Sequence, residues 1–231
     1  MDAAYPNNRN SSRHPRRSAP DLLRRGKFVD EASTANFYPK VLKRFGIEAM
    51  VLLIHEEHYR RPVPTIRLIT LGDEHVPALL ETMRDPEVLR FTRTPDPMPE
   101  EWLGQWLARF DGTHRAAFAI LDAEGAFAGY AVTGAIDWDG LEVELGYAIS
   151  PSARGRGVAT ETLRQLTRWA FAQGMQRVTA LIAVDNAASS RVAWKAGYTF
   201  EGVLRSVHNL NGRRCDLESW SILPGELPEG P

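Results

Sequence analysis

The sequence lacks the features of several protein classes. It contains one cysteine, Cys215, and the longest apolar run near its start covers only residues 49–54. A single thiol excludes an internal disulfide framework and a structural metal site built from cysteines. So short an apolar run cannot span a bilayer. We therefore expect a reducing, cytoplasmic setting and no membrane partner.

The chain also has little net charge, because 28 Lys and Arg residues oppose 29 Asp and Glu residues. A net charge of -1 gives no general attraction to nucleic acid, so we expect no such partner. The charge is uneven, since residues 1–64 hold 12 basic and 7 acidic residues. We predict that this segment is a basic N-terminal extension, disordered or partly helical. A basic arm that contacts RNA, or an extension upstream of a start at Met50, is the alternative.

Hydrophobic patterning predicts a folded domain over residues 65–223 and a short C-terminal tail over 224–231. Apolar stretches between turn residues predict hairpins, and Leu141–Ile149 alternates so that its odd-numbered residues share one face. A helical stripe begins near Gly157, and an apolar strand follows over residues 178–184. Such a strand–helix–strand unit implies a parallel pair with a right-handed crossover. The predicted fold class is mixed α/β, with a mostly antiparallel sheet, one βαβ unit and flanking helices.

The turn between Ile149 and the predicted helix has the composition of an anion site. Its glycines allow the backbone to approach a ligand closely. The first amides of a helix are unpaired and lie at the positive end of its dipole, so they suit phosphate. Two arginines add positive charge and a threonine adds a hydroxyl. Taken alone, these residues also fit a basic surface turn. The turn reads Arg154-Gly155-Arg156-Gly157-Val158-Ala159-Thr160.

Two common phosphate motifs do not match this turn. A Walker A loop needs Gly-Lys-Ser/Thr, which the turn does not contain. A dinucleotide fingerprint needs a glycine three residues after Gly157, and Thr160 stands there. The hairpins predicted upstream also disagree with a doubly wound sheet.

The segment Arg154–Ala159 resembles the Arg/Gln-x-x-Gly-x-Gly/Ala acetyl-coenzyme A motif of the GNAT superfamily of N-acetyltransferases. It follows Glu144–Pro151, which is similar to the strand that this superfamily places before the turn. Residues 185–192, 195–198 and 201–205 resemble the branch of the ribosomal-protein alanine and serine acetyltransferases, the Rim-type enzymes. The resemblance covers roughly residues 65–223 and implies a GNAT-like central sheet.

The resemblance implies acetyl-coenzyme A (acetyl-CoA) as cosubstrate, with no metal. Backbone amides of the glycine turn would hold the pyrophosphate, and the strand before it would run beside the pantetheine arm. Asn186 and Ser189 match positions that contact the coenzyme, and they also fit a helix N-cap and first turn. Both roles can hold together. The implied coenzyme-binding residues are Tyr147, Ala148, Ile149, Arg154, Gly155, Arg156, Gly157, Val158, Ala159, Thr160, Asn186 and Ser189.

The reaction needs a base for the amine and an acid for the departing thiolate. Glu144 is the favoured base, because Glu-x-Gly-Tyr matches the family pattern, while Glu142 on the same face is the weaker candidate. Many relatives place a tyrosine seven residues after the equivalent of Asn186, but that position here is Ala193. In the Rim-type branch a serine at the Ser189 position can replace it, so Ser189 is the candidate acid.

The predicted activity is transfer of an acetyl group from acetyl-CoA to a primary amine by direct attack on the thioester. By branch resemblance, the favoured acceptor is a protein or peptide N-terminal α-amine. A small-molecule amine such as an antibiotic, a polyamine or an amino acid is the first alternative. A coenzyme-binding regulatory protein without turnover is the second. The protein is expected to be a monomer or a homodimer.

Overall fold

The structure, a computed structural model, describes residues 63–210 and 212–228, so the predictions for residues 1–62 lie outside the described part. The described chain contains seven strands and five α-helices, with short 3₁₀ turns at Asp73–His75 and Pro151–Ala153. In chain order they are β1 Arg67–Thr70, α1 Val76–Met83, α2 Pro86–Phe91, α3 Trp102–Leu107, β2 Ala117–Leu121, β3 Phe127–Thr133, β4 Glu142–Ile149, α4 Val158–Ala172, β5 Arg177–Ala183, α5 Ala187–Ala196, β6 Thr199–Leu210 and β7 Arg213–Ile222.

The strands of the described residues form one sheet in the order β1-β2-β3-β4-β5-β7-β6. Neighbouring strands are antiparallel except β4 and β5, which are parallel and joined through α4. A parallel pair needs such a crossover, because a tight turn can only reverse the chain. The predicted mixed α/β fold with one βαβ unit is therefore confirmed.

The alternation predicted for β4 separates two layers of packing. Its odd-numbered side chains Val143, Leu145 and Ile149 join the main core with α4 and α5. On the opposite face, Ala148 joins a second cluster with side chains of α1 and α2. Glu144 shares this second face because successive side chains of a strand alternate. The α1–α3 side of the sheet is therefore the side on which Glu144 lies.

The helix α4 forms because its apolar positions repeat at helical spacing. Leu163, Leu166 and Ala170 are each 0% exposed and pack on the sheet. Gly157 precedes the helix with a left-handed φ of 85°, and Gly174 follows it with a φ of 93°. These two glycines fix where the helix begins and ends, because other residues rarely adopt such φ values. No helix in the described residues is both long and apolar enough to cross a membrane.

Candidate active site

The strands β4 and β5 separate partway along their length. Their paired residues are Glu142 with Arg177, Val143 with Val178 and Glu144 with Thr179. Beyond Glu144 the two strands continue without pairing, as far as Ile149 and Ala183 respectively. A gap therefore opens in the middle of the sheet immediately after Glu144.

The backbone of β4 presents hydrogen-bonding groups to this gap. Gly134 donates to the Glu144 carbonyl at 2.8 Å and Ser150 donates to Ala128 at 2.9 Å, so the even-numbered residues bond to β3. In an antiparallel pair the intervening residues point the other way. The amide and carbonyl of Tyr147 consequently face the gap. An extended ligand arm can therefore bond to Tyr147 as an added strand would. The coenzyme contacts predicted for Ala148 and Ile149, in the same segment, stay predictions.

The glycine turn lies at the end of the gap where β4 leads into α4. Gly155 and Gly157 have φ values of 73° and 85°, and a Cβ added at Gly155 would meet nothing within 4 Å. The amides of Val158, Ala159 and Thr160 have no hydrogen-bond acceptor in the described part of the chain. The first turn of α4 therefore offers three amides without an acceptor among the described residues, which fits a pyrophosphate group.

The two arginines of the turn have other partners. The Arg154 guanidinium donates to the Ile149 carbonyl at 3.2 Å and pairs with Asp85 and Glu87 near the start of α2. Arg156 donates to the Ser152 carbonyl at 2.9 Å. These contacts fix the turn against β4 and α2. The Arg154 guanidinium is engaged in ion pairs and its amide donates to the Pro151 carbonyl at 3.4 Å, so the phosphate contact predicted for Arg154 stays a prediction.

Glu144 lies where the two strands part and is exposed to solvent within the cleft. Protein groups around the cleft nevertheless remove part of the water near the carboxylate, which raises its pKa above the ordinary value of 4.5, while the charges of Arg93 and Arg115 oppose the rise. A carboxylate with a raised pKa is a better proton acceptor once it is ionised. Glu142, the weaker candidate, accepts from Arg177 at 3.1 Å, so its carboxylate is part of an ion pair.

Ser189 approaches the gap from the opposite face of the sheet. Asn186 caps α5 by accepting from the Ser189 amide at 3.1 Å, which confirms its predicted capping role. The Tyr147 hydroxyl donates to the Ser189 hydroxyl oxygen at 3.4 Å. Burial raises the pKa of Tyr147 to about 12, so its phenol stays protonated at neutral pH. Because Ser189 accepts from Tyr147, its own hydroxyl hydrogen remains available to another acceptor in the gap.

Two charged residues near Glu144, Arg93 after α2 and Arg115 before β2, were not singled out as site residues from the sequence. His208 on β6 is the partner of Arg93. Arg93 and His208 lie 3.1 Å apart between side-chain nitrogens, although 115 positions separate them in the chain. Only the register of β2, β3 and β4 places Arg115 near Glu144. Knowledge of that strand register is the signal that could have identified Arg115 as a site residue.

A separate open cavity of about 500 Å³ lies beside α2, lined by Arg84, Pro86, Leu89 and residues 95–98. It contains none of the predicted site residues, so we do not assign the chemistry to it. Among the described residues, no group of three or more His, Cys, Asp or Glu side chains is placed to hold a metal ion.

The acetyltransferase (GNAT) domain family matches residues 65–199. The chain belongs to this family. Its GNAT domain thus contains both the glycine turn and the separated strands. The L-methionine sulfoximine/L-methionine sulfone acetyltransferase of Pseudomonas paraeruginosa is 34% identical over 118 residues, which are 48% of this chain and 67% of that protein.

Two further GNAT proteins help to define the likeness. YdaF of Bacillus subtilis, provisionally named a ribosomal N-acetyltransferase, is 31% identical over 104 residues, 45% of this chain and 57% of its own. The spermidine N-acetyltransferase of Vibrio cholerae, solved with CoA and spermine, has a TM-score of 0.63 at 17% identity, covering 70% of this chain and 96% of that one. At that identity the likeness concerns the fold alone. The chain spans between about half and two thirds of the length of these curated relatives.

Proposed function

We propose that this GNAT protein transfers an acetyl group from acetyl-CoA to a primary amine. The observation that carries the proposal is the junction of the gap after Glu144 with the open glycine turn. The gap suits an extended thioester arm, and the turn suits its pyrophosphate. Membership of the acetyltransferase family supports the same reaction.

The residues around the gap suit the two proton transfers of the reaction. Acetyl-CoA supplies an activated acetyl group as a thioester. Glu144 accepts a proton from the incoming amine, directly or through one water, on the α1–α3 face of the sheet. As the amide bond forms and the thioester C–S bond breaks, Ser189, held by the Tyr147 hydroxyl at 3.4 Å, gives its proton to the departing thiolate from the other face and regains one from solvent. The base and the acid thus lie on opposite sides of the gap.

For the acceptor we propose a peptide or protein N-terminal α-amine of the Rim-type kind. The resemblance of residues 185–205 to that branch and the likeness to YdaF support it. Exposure of Glu144 lets a bulky acceptor reach it. An α-amine, with an ordinary pKa of about 7.7–8.0, also demands less of the base than a lysine side chain. The second candidate is a small-molecule amine, which the likeness to the methionine sulfoximine enzyme favours.

The oligomeric state of the protein, a monomer or a homodimer, stays a prediction.

Calorimetry with acetyl-CoA tests the proposed coenzyme site through a matched pair of variants. Gly157→Trp and Gly174→Trp place the same side chain at left-handed positions at the two ends of α4, with φ values of 85° and 93°. Each is expected to cost about 1–2 kcal/mol of folding free energy from backbone strain. Only Gly157→Trp obstructs the turn.

We therefore expect Gly157→Trp to abolish acetyl-CoA binding and Gly174→Trp to retain it. Thiol release measured with a panel of peptides and amines then tests turnover. Equal affinity in the two variants would contradict the assigned turn. Binding without thiol release for every amine would favour the regulatory alternative.

A further inference from the structure

The register of three strands places Arg115 and Glu144 in one row across the sheet. Gly134 donates to the Glu144 carbonyl, so it lies opposite Glu144 on β3. The bonds Thr133 to Ala116 and Ile136 to His114 bracket Arg115 opposite Gly134 and Ala135. Side chains in one row share a face of the sheet. Arg115 therefore extends over the same face as Glu144, two strands away.

Gly134 keeps the space between these two side chains open. A Cβ added at Gly134 would lie 3.2 Å from the Glu144 Cβ. Two strand spacings separate the outer strands by about 10 Å. The Glu144 Oε2 lies 3.9 Å from the same Cβ position, so the carboxylate extends over Gly134 on the face where we place the acceptor.

Arg93 adds a second positive charge near Glu144, because its charge, like that of Arg115, opposes the rise in the pKa of Glu144. The Arg93 guanidinium lies 3.1 Å from the His208 Nδ1. Burial, followed by the charge of Arg93, lowers the pKa of His208, so the imidazole is neutral at pH 7 and Nδ1 accepts from Arg93. The Nε2–H then remains a donor. Two guanidinium groups thus lie near Glu144, and one of them is held by a neutral imidazole.

These cations have no carboxylate partner among the described residues. Neither Arg93 nor Arg115 forms an ion pair there, whereas Arg90, Arg154 and Arg177 each do. Glu144 is itself beyond ion-pair distance of both. Among the described residues, two guanidinium groups therefore surround the single carboxylate of Glu144, so positive charge is in excess around it. A polycationic acceptor would be repelled, and an anionic group would be attracted.

We propose that the acceptor is a primary amine with a carboxylate or similar anion a few bonds from its nitrogen. The anion binds to Arg93 and Arg115 while the amine faces Glu144. A free α-amino acid and a peptide with an acidic first residue share this chemistry. The inference rests on the proposed acetyltransferase function.

Thiol release from acetyl-CoA with matched acceptors tests the charge preference. The peptides Asp-Ala-Ala amide and Asn-Ala-Ala amide differ by one carboxylate, and L-methionine and L-methioninamide form the second pair. Spermidine is the polycationic probe. Rates are corrected for the fraction of free amine in each acceptor. We expect the anionic member of one pair to have a kcat/KM about 10- to 150-fold higher, the range of hydrogen bonds to charged groups. The pair that shows this preference identifies the acceptor as a peptide with an acidic first residue or as a free amino acid.

Arg93→Gln and Arg115→Gln are expected to reduce this preference at least tenfold and to leave the affinity for acetyl-CoA unchanged. Arg109→Gln, at another exposed arginine, serves as the control and should keep the preference. Turnover of the amides or of spermidine at equal or higher kcat/KM would overturn the inference and leave the acetyltransferase function standing. So would a preference that survives both variants. Bound acetyl-CoA without turnover of any amine would instead overturn the function itself, and the inference with it.

Discussion

Replacement of Glu144 by glutamine removes a carboxylate and keeps the size and polarity of the side chain. Glu144 lies at the last residue pair before β4 and β5 separate, so its carboxylate adjoins the gap. Positioned general bases contribute about 10²- to 10⁴-fold to rate. We therefore expect Glu144→Gln to lower kcat/KM by that factor, which corresponds to about 3–5 kcal/mol of activation free energy.

The pH dependence gives the sharper readout. The cleft raises the pKa of Glu144 above 4.5, and the carboxylate accepts a proton only when it is ionised. In the native protein kcat/KM should therefore fall as the pH decreases through this raised pKa. The Glu144→Gln variant should lack this fall, which is the acid limb of the pH profile of kcat/KM. Protonation of the amine also lowers kcat/KM at low pH, with a midpoint at the pKa of the amine. Two acceptors with different amine pKa values separate the two effects, because only the midpoint that belongs to the amine differs between them.

Glu142→Gln is the matched control. Glu142 lies two residues away on the same strand, but its carboxylate accepts from Arg177 at 3.1 Å. This variant should keep the acid limb and most of its activity. A Glu144→Gln protein with kcat/KM within about threefold of native would refute the assignment of the base. An unchanged acid limb would do the same.

Two further predictions concern groups that hold the site in place. Tyr147→Phe removes the donor to Ser189, so kcat should fall about 2- to 10-fold with unchanged acetyl-CoA affinity, and Ser189→Ala should lower kcat at least as much. A native kcat in both variants would remove Ser189 from the mechanism. Asp85 caps α2 and pairs with Arg154. Urea unfolding should show Asp85→Ala to be about 1 kcal/mol less stable than Asp85→Asn, because asparagine keeps the cap. Equal stabilities would contradict the capping role.

The fold class could be predicted because its signals are local. Alternation over Leu141–Ile149 and the apolar stripe of the helix after Gly157 depend on neighbours a few residues away. The βαβ unit followed from their order. The same signals placed the strand bounds only to within a residue or two, since β5 begins at Arg177 and not at Val178. Strand ends depend on pairing partners that lie far away in the chain.

The role of an individual arginine could not be predicted from its residue type and its position in the sequence. Arg154 stands in the glycine turn, yet its guanidinium is held by Asp85, which lies 69 positions away in the chain. Arg93 and Arg115 stand in no motif. They become candidates only because the structure places them beside Glu144 and leaves them without carboxylate partners among the described residues.

The sequence by itself determined the order of helices and strands and the glycine turn, and it supplied the candidates for acid and base chemistry. These depend on side-chain period, on the φ values open to glycine and on helix N-termini, all of which are local properties. The tertiary structure decided where β4 and β5 separate, that Tyr147 reaches Ser189, and which charges surround Glu144. These depend on strand register and on the packing of α5 against the sheet, which join residues 12 to 42 positions apart only after the chain has folded.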